Sequence, residues 1–266
     1  FEDAGLIVNP KLWNWYQSNA EKYKRRAASE WPYETNINGV DWASIPASSG
    51  KADAEYGDAA IFILGRVGGE DHDHLMLTWD TQGSDPAGTN SQKGYLMLSD
   101  NERSVLAALK ELKENGTFKK LILLINSSNQ PELDWLTDNT YGIDAAMWIG
   151  GVGETGLNAV GKLLTGAVNP SGRLSDMYWN KHEYNPVHAN FGTYAFNTGV
   201  GASDAETDRG VAAGTLILDG TRTNHADSRY IVYQEGMYLG YRYAETRYED
   251  LVLGRENVGD FDYNSV

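Results

Sequence analysis

The sequence predicts an α/β fold: a predominantly parallel sheet flanked by helices (an α/β sandwich), with a long irregular C-terminal part. Three short apolar runs, at 59–64, 121–125 and 143–149, predict the strands. Continuous apolar runs bounded by glycine or polar residues are typical of strands that are buried on both faces. Segments with helical patterning alternate with these runs, which indicates βαβ units and a parallel sheet.

Composition excludes several classes of function. The 266 residues carry a formal net charge of -15, which opposes binding to nucleic acid and to anionic membranes. No apolar run approaches the roughly 20 residues of a membrane span. The chain has no cysteine, so it has no disulfides and no thiolate zinc site. No secretory leader is visible at the N-terminus, and nothing in the composition assigns a cellular compartment.

The segment before the first strand is predicted to contain helix and loop. Residues 1–4 resemble the last turn of a helix, with Gly5 as its cap. Pro10 is expected to open a long amphipathic helix that runs to Arg26. Residues 30–58 contain two prolines and a Ser-Ser-Gly turn, which predict mostly loop around one short helix.

The first predicted strand leads directly into residues that can carry chemistry. Ile61–Leu64 is followed by glycines and then by the cluster Glu70, Asp71, His72, Asp73 and His74. Ligands of open α/β sheets bind beyond the carboxyl ends of the strands, because the loops converge there. The polar connection continues to Gly94, and loops of this length inside compact domains are usually functional or disordered.

The next helix and strand follow in a clear pattern. Ser99 is predicted to cap a helix, with Glu102 as the reciprocal partner of a capping box, and Gly116 ends that helix. The second strand ends in the Asn-Ser-Ser-Asn loop at 126–129. Pro131 is expected to occupy the first position of a short helix.

The third strand ends in a glycine loop. Gly150-Gly-Val-Gly153 precedes a helix predicted over 155–164. If the three strands are neighbours, the acidic loop, the amide loop and the glycine loop share one rim. Such a rim suits a neutral polyhydroxyl ligand better than a phosphate.

Two other kinds of site at this rim are disfavoured. Asp71, His72, Asp73 and His74 are competent metal ligands, but adjacent residues seldom converge on one ion, so a solvated acidic loop is the better interpretation. The glycine loop departs from the dinucleotide-binding pattern, and Glu154 beside it would repel a phosphate. No cofactor is implied.

Beyond residue 173 the alternation of strand and helix stops. Residues 180–228 are rich in Asn, Gly, Asp and Thr and contain no convincing helix. Residues 229–243 are expected to be extended and aromatic-rich. Residues 245–266 are acidic and are expected to form an exit linker, so the sandwich domain is predicted to occupy 1–244.

Three sequence blocks resemble glycoside hydrolase family 3, the β-glucosidase and β-xylosidase family. Ile125-Asn-Ser-Ser-Asn-Gln-Pro-Glu-Leu133 is similar to the strand-loop-helix of its α/β sandwich domain. Asp144-Ala-Ala-Met-Trp-Ile-Gly-Gly151, continuing to Asn169-Pro-Ser-Gly-Arg-Leu174, is similar to its most recognisable run. Tyr233-Gln-Glu-Gly-Met-Tyr-Leu-Gly-Tyr-Arg-Tyr243 resembles a third family segment. The first and last blocks most resemble the rumen and clostridial type, in which the sandwich precedes the barrel.

The resemblance implies an acid/base residue in the first loop. The family's acid/base glutamate lies in a loop of the approximate form Gly-Glu-Gly-x-Asp, and Gly69-Glu70-Asp71-His72-Asp73 is similar to it. The role therefore falls on Glu70, with Asp71 in place of the usual glycine. Asp71, His72 and Asp73 are expected to contact substrate, and Trp79 to contact the leaving-group side.

The implied activity is retaining hydrolysis of β-linked glucosides or related oligosaccharides, including aryl and alkyl glycosides. The nucleophile would be an aspartate of a (β/α)8 barrel domain of the same polypeptide, which this sequence does not contain. The first strand of the sandwich is also expected to be missing, as is a fibronectin-like domain beyond the linker. This chain alone is therefore expected to be inactive. The alternative is a non-catalytic sugar-binding or interaction module with the same fold.

Overall fold

The computed structural model describes the following parts of the chain: 1–20, 40–66, 96–153, 155–187, 193–195, 216–217, 229–230, 233 and 235–255. The statements below concern these residues. No helix among them is both long enough and apolar enough to cross a membrane.

The core of the fold is a three-stranded parallel sheet. Its strands are β1 (Ala60–Arg66), β2 (Leu121–Ser127) and β3 (Ala145–Trp148), in the spatial order β1-β2-β3. Both pairings are parallel, with Leu64 opposite Ile125 and Ile125 opposite Trp148. The predicted fold class and the parallel sheet are thus confirmed.

One face of the sheet packs against the helix that connects β1 to β2. This helix, α2 (Asp100–Glu114), follows α1 (Pro10–Ser18) and begins with the predicted capping box. The Ser99 hydroxyl accepts from the Glu102 backbone N–H at 3.2 Å, and the Glu102 carboxylate accepts from the Ser99 N–H at 2.8 Å. The buried cluster between helix and sheet contains Leu64, Leu98, Leu106, Leu123, Ile125, Trp135 and Tyr141.

The prediction that strands are buried on both faces is confirmed for β2 and wrong for β1 and β3, and in β3 Ala145, Ala146 and Trp148 are exposed. In β2, the consecutive residues Leu123, Leu124 and Ile125 are all buried. In β1, Ile61 and Ile63 are 37% and 55% exposed. The reason is position: β1 lies at the edge of the described sheet, and α2 covers only the opposite face of the strand.

Two helix predictions near the sheet need correction. The helix that opens at Pro10 ends at Ser18, with Asn19 as its C-cap, and the part of the prediction from 21 to Arg26 lies outside the described residues. Asn9 caps its start by accepting from two backbone N–H groups. Pro131 is not a helical residue, because α3 (Asp134–Thr137) begins three residues later. The helix predicted over 155–164 is α4 (Leu157–Leu164). The turn at Glu2–Ala4 ends at Gly5, as predicted, with φ at 82°.

The described residues of the C-terminal part include a small antiparallel sheet and an α-helix. Strands β4 (Thr193–Ala195), β5 (Leu216–Ile217) and β6 (Arg229–Tyr230) pair in the order β5-β4-β6. Helix α5 (Tyr241–Val252) follows. The prediction of extended structure up to residue 243 is therefore wrong at its end. Because Gly240 adopts φ 53° and ψ -129°, the chain turns there and enters the helix.

Candidate functional site

The carboxyl ends of the three parallel strands form a common rim. Arg66, at the end of β1, lies opposite Ser127 at the end of β2, and Trp148 ends β3 beside Ile125. The loops that follow the strands therefore leave the same edge of the sheet, as predicted from the apolar runs.

The side chains predicted to carry the chemistry lie outside the described residues. This applies to Glu70, Asp71, His72, Asp73 and Trp79, and also to His74. In the sequence, Glu70 follows Arg66, the last residue of β1, by four positions.

An ion pair at the end of β1 is the main rim feature that the sequence did not reveal. The Arg66 guanidinium donates to both carboxylate oxygens of Glu102, at 2.7 and 2.8 Å. The two side chains are only 2% and 11% exposed. The sequence predicted Glu102 only as a capping residue. In the structure its carboxylate both caps α2 and pairs with Arg66. The signal in the sequence was Arg66 itself, a charged residue at the end of an apolar strand, which needs a partner if it is buried.

The same guanidinium contacts the chain on both sides of the predicted acid/base loop. It donates to the Gly65 carbonyl at 2.6 Å and to the Met97 carbonyl at 2.8 Å. Met97 lies 31 positions after Arg66. Next to it, the Leu96 carbonyl accepts from the backbone N–H of Glu132, which ties this end to the loop before α3. One side chain thus connects the point where the loop leaves the sheet with the point where the chain returns.

The loops after β2 and β3 are cross-linked by their own polar groups. The Asn126 side-chain amide donates to the Gly150 carbonyl at 2.6 Å, and the Trp148 indole N–H donates to the Ser127 carbonyl at 2.8 Å. The Ser127 hydroxyl donates to the Asn129 carbonyl and accepts from the Asn129 N–H. Much of the hydrogen-bonding capacity predicted to serve a ligand therefore holds the rim together.

At this end of the rim, Trp148 has an exposed side chain and Asn129 has a hydrogen-bond donor without a partner among the described residues. The Trp148 side chain is anchored through its N–H, yet the residue is 44% exposed. The buried Asn129 Nδ2 has no hydrogen-bond partner among the described residues.

The glycine loop works as a tight turn at the end of β3. Gly150 has φ 57°, and a Cβ added there would lie 2.9 Å from the Trp148 ring. Glycine is required for both reasons, since a side chain would be strained by the backbone and blocked by the indole. Among the described residues, no side chain caps α4, the helix that follows. This geometry agrees with the predicted packing turn.

Behind the rim, a buried histidine joins the loop after β2 to the C-terminal part. The His182 ring Nε2 donates to the Gln130 carbonyl at 2.6 Å, and its backbone N–H donates to the Glu132 carboxylate at 2.8 Å. Burial lowers the pKa of His182, and the hydrogen bond to the Gln130 carbonyl opposes this shift only in part. The imidazole is therefore neutral at pH 7. Among the described residues, no group of three His, Asp or Glu side chains could hold a metal ion.

The sheet, its helices and its rim of loops define an α/β sandwich domain. The model of the glycosyl hydrolase family 3 C-terminal domain matches residues 13–241. The chain therefore belongs to glycosyl hydrolase family 3, and it represents that domain.

Curated relatives agree with this assignment. The chain is 25% identical over 254 residues to a β-glucosidase of Ruminococcus albus, which covers 94% of this chain and 20% of the relative. It is 27% identical over 198 residues to β-glucosidase A of Butyrivibrio fibrisolvens, covering 73% of this chain and 19% of the relative. The chain thus spans about a fifth of the length of these relatives.

The fold is similar to that of a solved enzyme. β-Glucosidase 3B from Thermotoga neapolitana, determined in complex with α-D-glucose, superposes with a TM-score of 0.59 at 18% identity. The match covers 92% of this chain and 27% of that chain. This likeness supports the fold.

Proposed function

We propose that the chain is the acid/base-bearing domain of a retaining β-glycosidase that hydrolyses β-linked glucosides or related oligosaccharides. Membership of glycosyl hydrolase family 3 is the observation that carries the proposal. The names of the relatives, which are β-glucosidases, support the substrate class. Glu70 is the proposed acid/base, because Gly69-Glu70-Asp71-His72-Asp73 resembles the acid/base loop of the family and follows β1 at the rim of the sheet.

In the proposed reaction Glu70 has two successive roles. It first protonates the oxygen of the leaving group while an aspartate attacks the anomeric carbon. The resulting glycosyl-enzyme is then hydrolysed by a water molecule, and the Glu70 carboxylate accepts a proton from that water. The nucleophilic aspartate is proposed to belong to a (β/α)8 barrel domain of the same polypeptide. In retaining enzymes the two carboxyl groups lie about 5–5.5 Å apart.

The neighbouring residues of the loop are proposed to bind substrate. Asp71, His72 and Asp73 follow Glu70 directly, and their polar side chains suit sugar hydroxyl groups. Trp79 is proposed to contact the leaving-group side, because a flat aromatic ring packs against the C–H face of a sugar. Residues 1–244 are proposed to form the sandwich, with 245–266 leading out of it. Helix α5 crosses that boundary, so the segment after residue 244 begins as helix.

The test is Glu70→Gln in the intact enzyme, using two substrates that differ in leaving group. With cellobiose, kcat/KM should fall about 10²–10⁴-fold, the usual contribution of a general acid. With 2,4-dinitrophenyl β-glucoside, kcat/KM should fall far less, because that leaving group departs without protonation. Added azide should raise kcat of the variant on this substrate, since azide attacks the glycosyl-enzyme without base assistance.

The matched control is Glu55→Gln, an exposed carboxylate in the turn Ala54–Tyr56. It should leave kcat/KM unchanged with both substrates. An equal loss on both substrates in Glu70→Gln would contradict the acid/base role and favour a sugar-binding module without catalytic function.

A further inference from the structure

The Arg66–Glu102 pair is an unusual use of buried charge. Counted as whole residues, Arg66 is 6% exposed and Glu102 is 9% exposed, so both charges are largely removed from water. Removing two charges from water costs free energy, and apolar side chains of similar volume often stabilise a fold as well or better. The contribution that an apolar pair cannot reproduce is orientation, because a bidentate guanidinium–carboxylate contact allows one geometry.

The contacts of Arg66 show which parts of the chain the ion pair holds in a fixed orientation. Its guanidinium joins the Gly65 carbonyl in β1, the Met97 carbonyl and the carboxylate of Glu102 in the first turn of α2. The Glu102 carboxylate is itself held by the Ser99 N–H at 2.8 Å. The residues on both sides of the acid/base loop are thus fixed to the N-terminus of one helix.

We propose that Arg66 is a positioning residue for the acid/base group: through Glu102 and the Met97 carbonyl it fixes the base of the loop that carries Glu70. This inference rests on the proposed function. Its basis is that only three residues separate Arg66 from Glu70 in the sequence, so the orientation of the strand end sets the direction in which the chain leaves the sheet toward Glu70. In reactions that depend on proton transfer, a displacement of about 1 Å can cost about 10²-fold in rate.

The experiment uses Arg66→Lys in the intact enzyme. Lysine keeps the positive charge but has one compact ammonium, which cannot reproduce the fork to both Glu102 oxygens together with the Met97 contact. Glu102→Gln is the second variant, and it serves if Arg66→Lys does not fold. Thermal unfolding of each variant establishes that it is folded.

The matched control is Lys113→Met. Lys113 lies in the last turn of the same helix and pairs with Asp144 at 2.7 Å, at the opposite end of the sheet. It therefore reports what the loss of an ion pair on α2 does to activity when the rim is not involved.

Positioning predicts that Arg66→Lys loses at least tenfold more kcat/KM on cellobiose than on 2,4-dinitrophenyl β-glucoside. Lys113→Met should change both substrates by the same factor. An equal loss on both substrates in Arg66→Lys, or no loss on either, overturns the inference. If Glu70→Gln discriminates between the substrates and Arg66→Lys does not, only the positioning role fails. If Arg66→Lys discriminates and Glu70→Gln does not, the positioning role stands for another acid of the loop and the assignment to Glu70 fails.

Discussion

The strongest test of the described structure is Asp144→Asn, at the end of the sheet opposite the rim. One Asp144 carboxylate oxygen accepts from the Leu121 backbone N–H at 2.8 Å and from Lys113 Nζ at 2.7 Å. The other accepts from Lys120 Nζ at 3.1 Å. The carboxylate therefore ties the start of β3 to the start of β2 and to the C-terminal turn of α2.

The expected loss of stability follows from these contacts. Hydrogen bonds to charged groups contribute about 1.5–3 kcal/mol, whereas exposed ion pairs contribute about 0–1 kcal/mol. The side chains of Asp144 and Lys113 are 21% and 25% exposed, which lies between those two cases. Asparagine keeps an acceptor for the Leu121 N–H but loses the charge. We therefore expect the free energy of unfolding at pH 7 to fall by about 1.5 kcal/mol, measured by urea denaturation.

The difference in the free energy of unfolding between Asp144→Asn and the parent chain should depend on pH. The hydrogen bonds from Lys113 and from the Leu121 N–H hold the pKa of the Asp144 carboxyl well below its ordinary value of 3.8. At low pH the unfolded chain therefore binds more protons at this site than the folded chain does. The stabilisation is complete above about pH 5 and declines as the pH falls through and below the ordinary value. The difference in the free energy of unfolding between the two proteins should therefore be smaller at pH 3 than at pH 7.

Asp58→Asn is the matched control for this prediction. Asp58 pairs with Lys119 at 2.6 Å, but the two side chains are 91% and 75% exposed. Water and salt screen such a pair, so its removal should leave stability unchanged. The reasoning is refuted if Asp58→Asn destabilises as much as Asp144→Asn, or if the gap for Asp144→Asn is the same at pH 3 and pH 7.

Two further predictions concern the core and the buried histidine. Leu106→Ala should lower the free energy of unfolding by about 3 kcal/mol, because Leu106 is fully buried between α2 and the sheet, whereas Leu253→Ala, at a 55% exposed position, should change it by less than about 0.5 kcal/mol. Similar losses in both variants would contradict the described core. Because burial lowers the pKa of His182, the unfolded chain binds the extra proton first, and stability should decline as pH falls through about 6.5. His182→Gln should flatten the stability profile between pH 7.5 and 5.5, and an unchanged slope would rule out this contribution.

The sequence was sufficient to predict those elements that depend on residues close together in the chain. The apolar run at Leu121–Ile125 predicted a buried strand, and Ser99 with Glu102 predicted the start of α2. Both follow from local rules of patterning and capping. The shared rim followed in turn, because parallel strands joined by helices place their carboxyl ends at one edge.

The sequence was insufficient where the structure depends on distant residues. The apolar run in β1 could not show that Ile61 and Ile63 face outward, since that depends on which elements cover the sheet. The aromatic-rich residues at the start of α5 suited strand and helix equally, and the backbone conformation of Gly240 decided between them. Arg66 could not be paired with Glu102, because 36 positions separate them. The proposed roles of Glu70, Asp71, His72, Asp73 and Trp79 come from family resemblance.

The double role of Glu102 has a consequence for how the domain opens. Its carboxylate completes the cap of α2 and also neutralises Arg66, so fraying of the first helical turn would leave a buried guanidinium without its counter-ion. Helix ends ordinarily open at little cost, whereas leaving a buried charge without its partner raises that cost. The start of α2 and the end of β1 should therefore open together as one cooperative unit. Amide hydrogen exchange would show this as equal protection of the Glu102 N–H and the β1 amides.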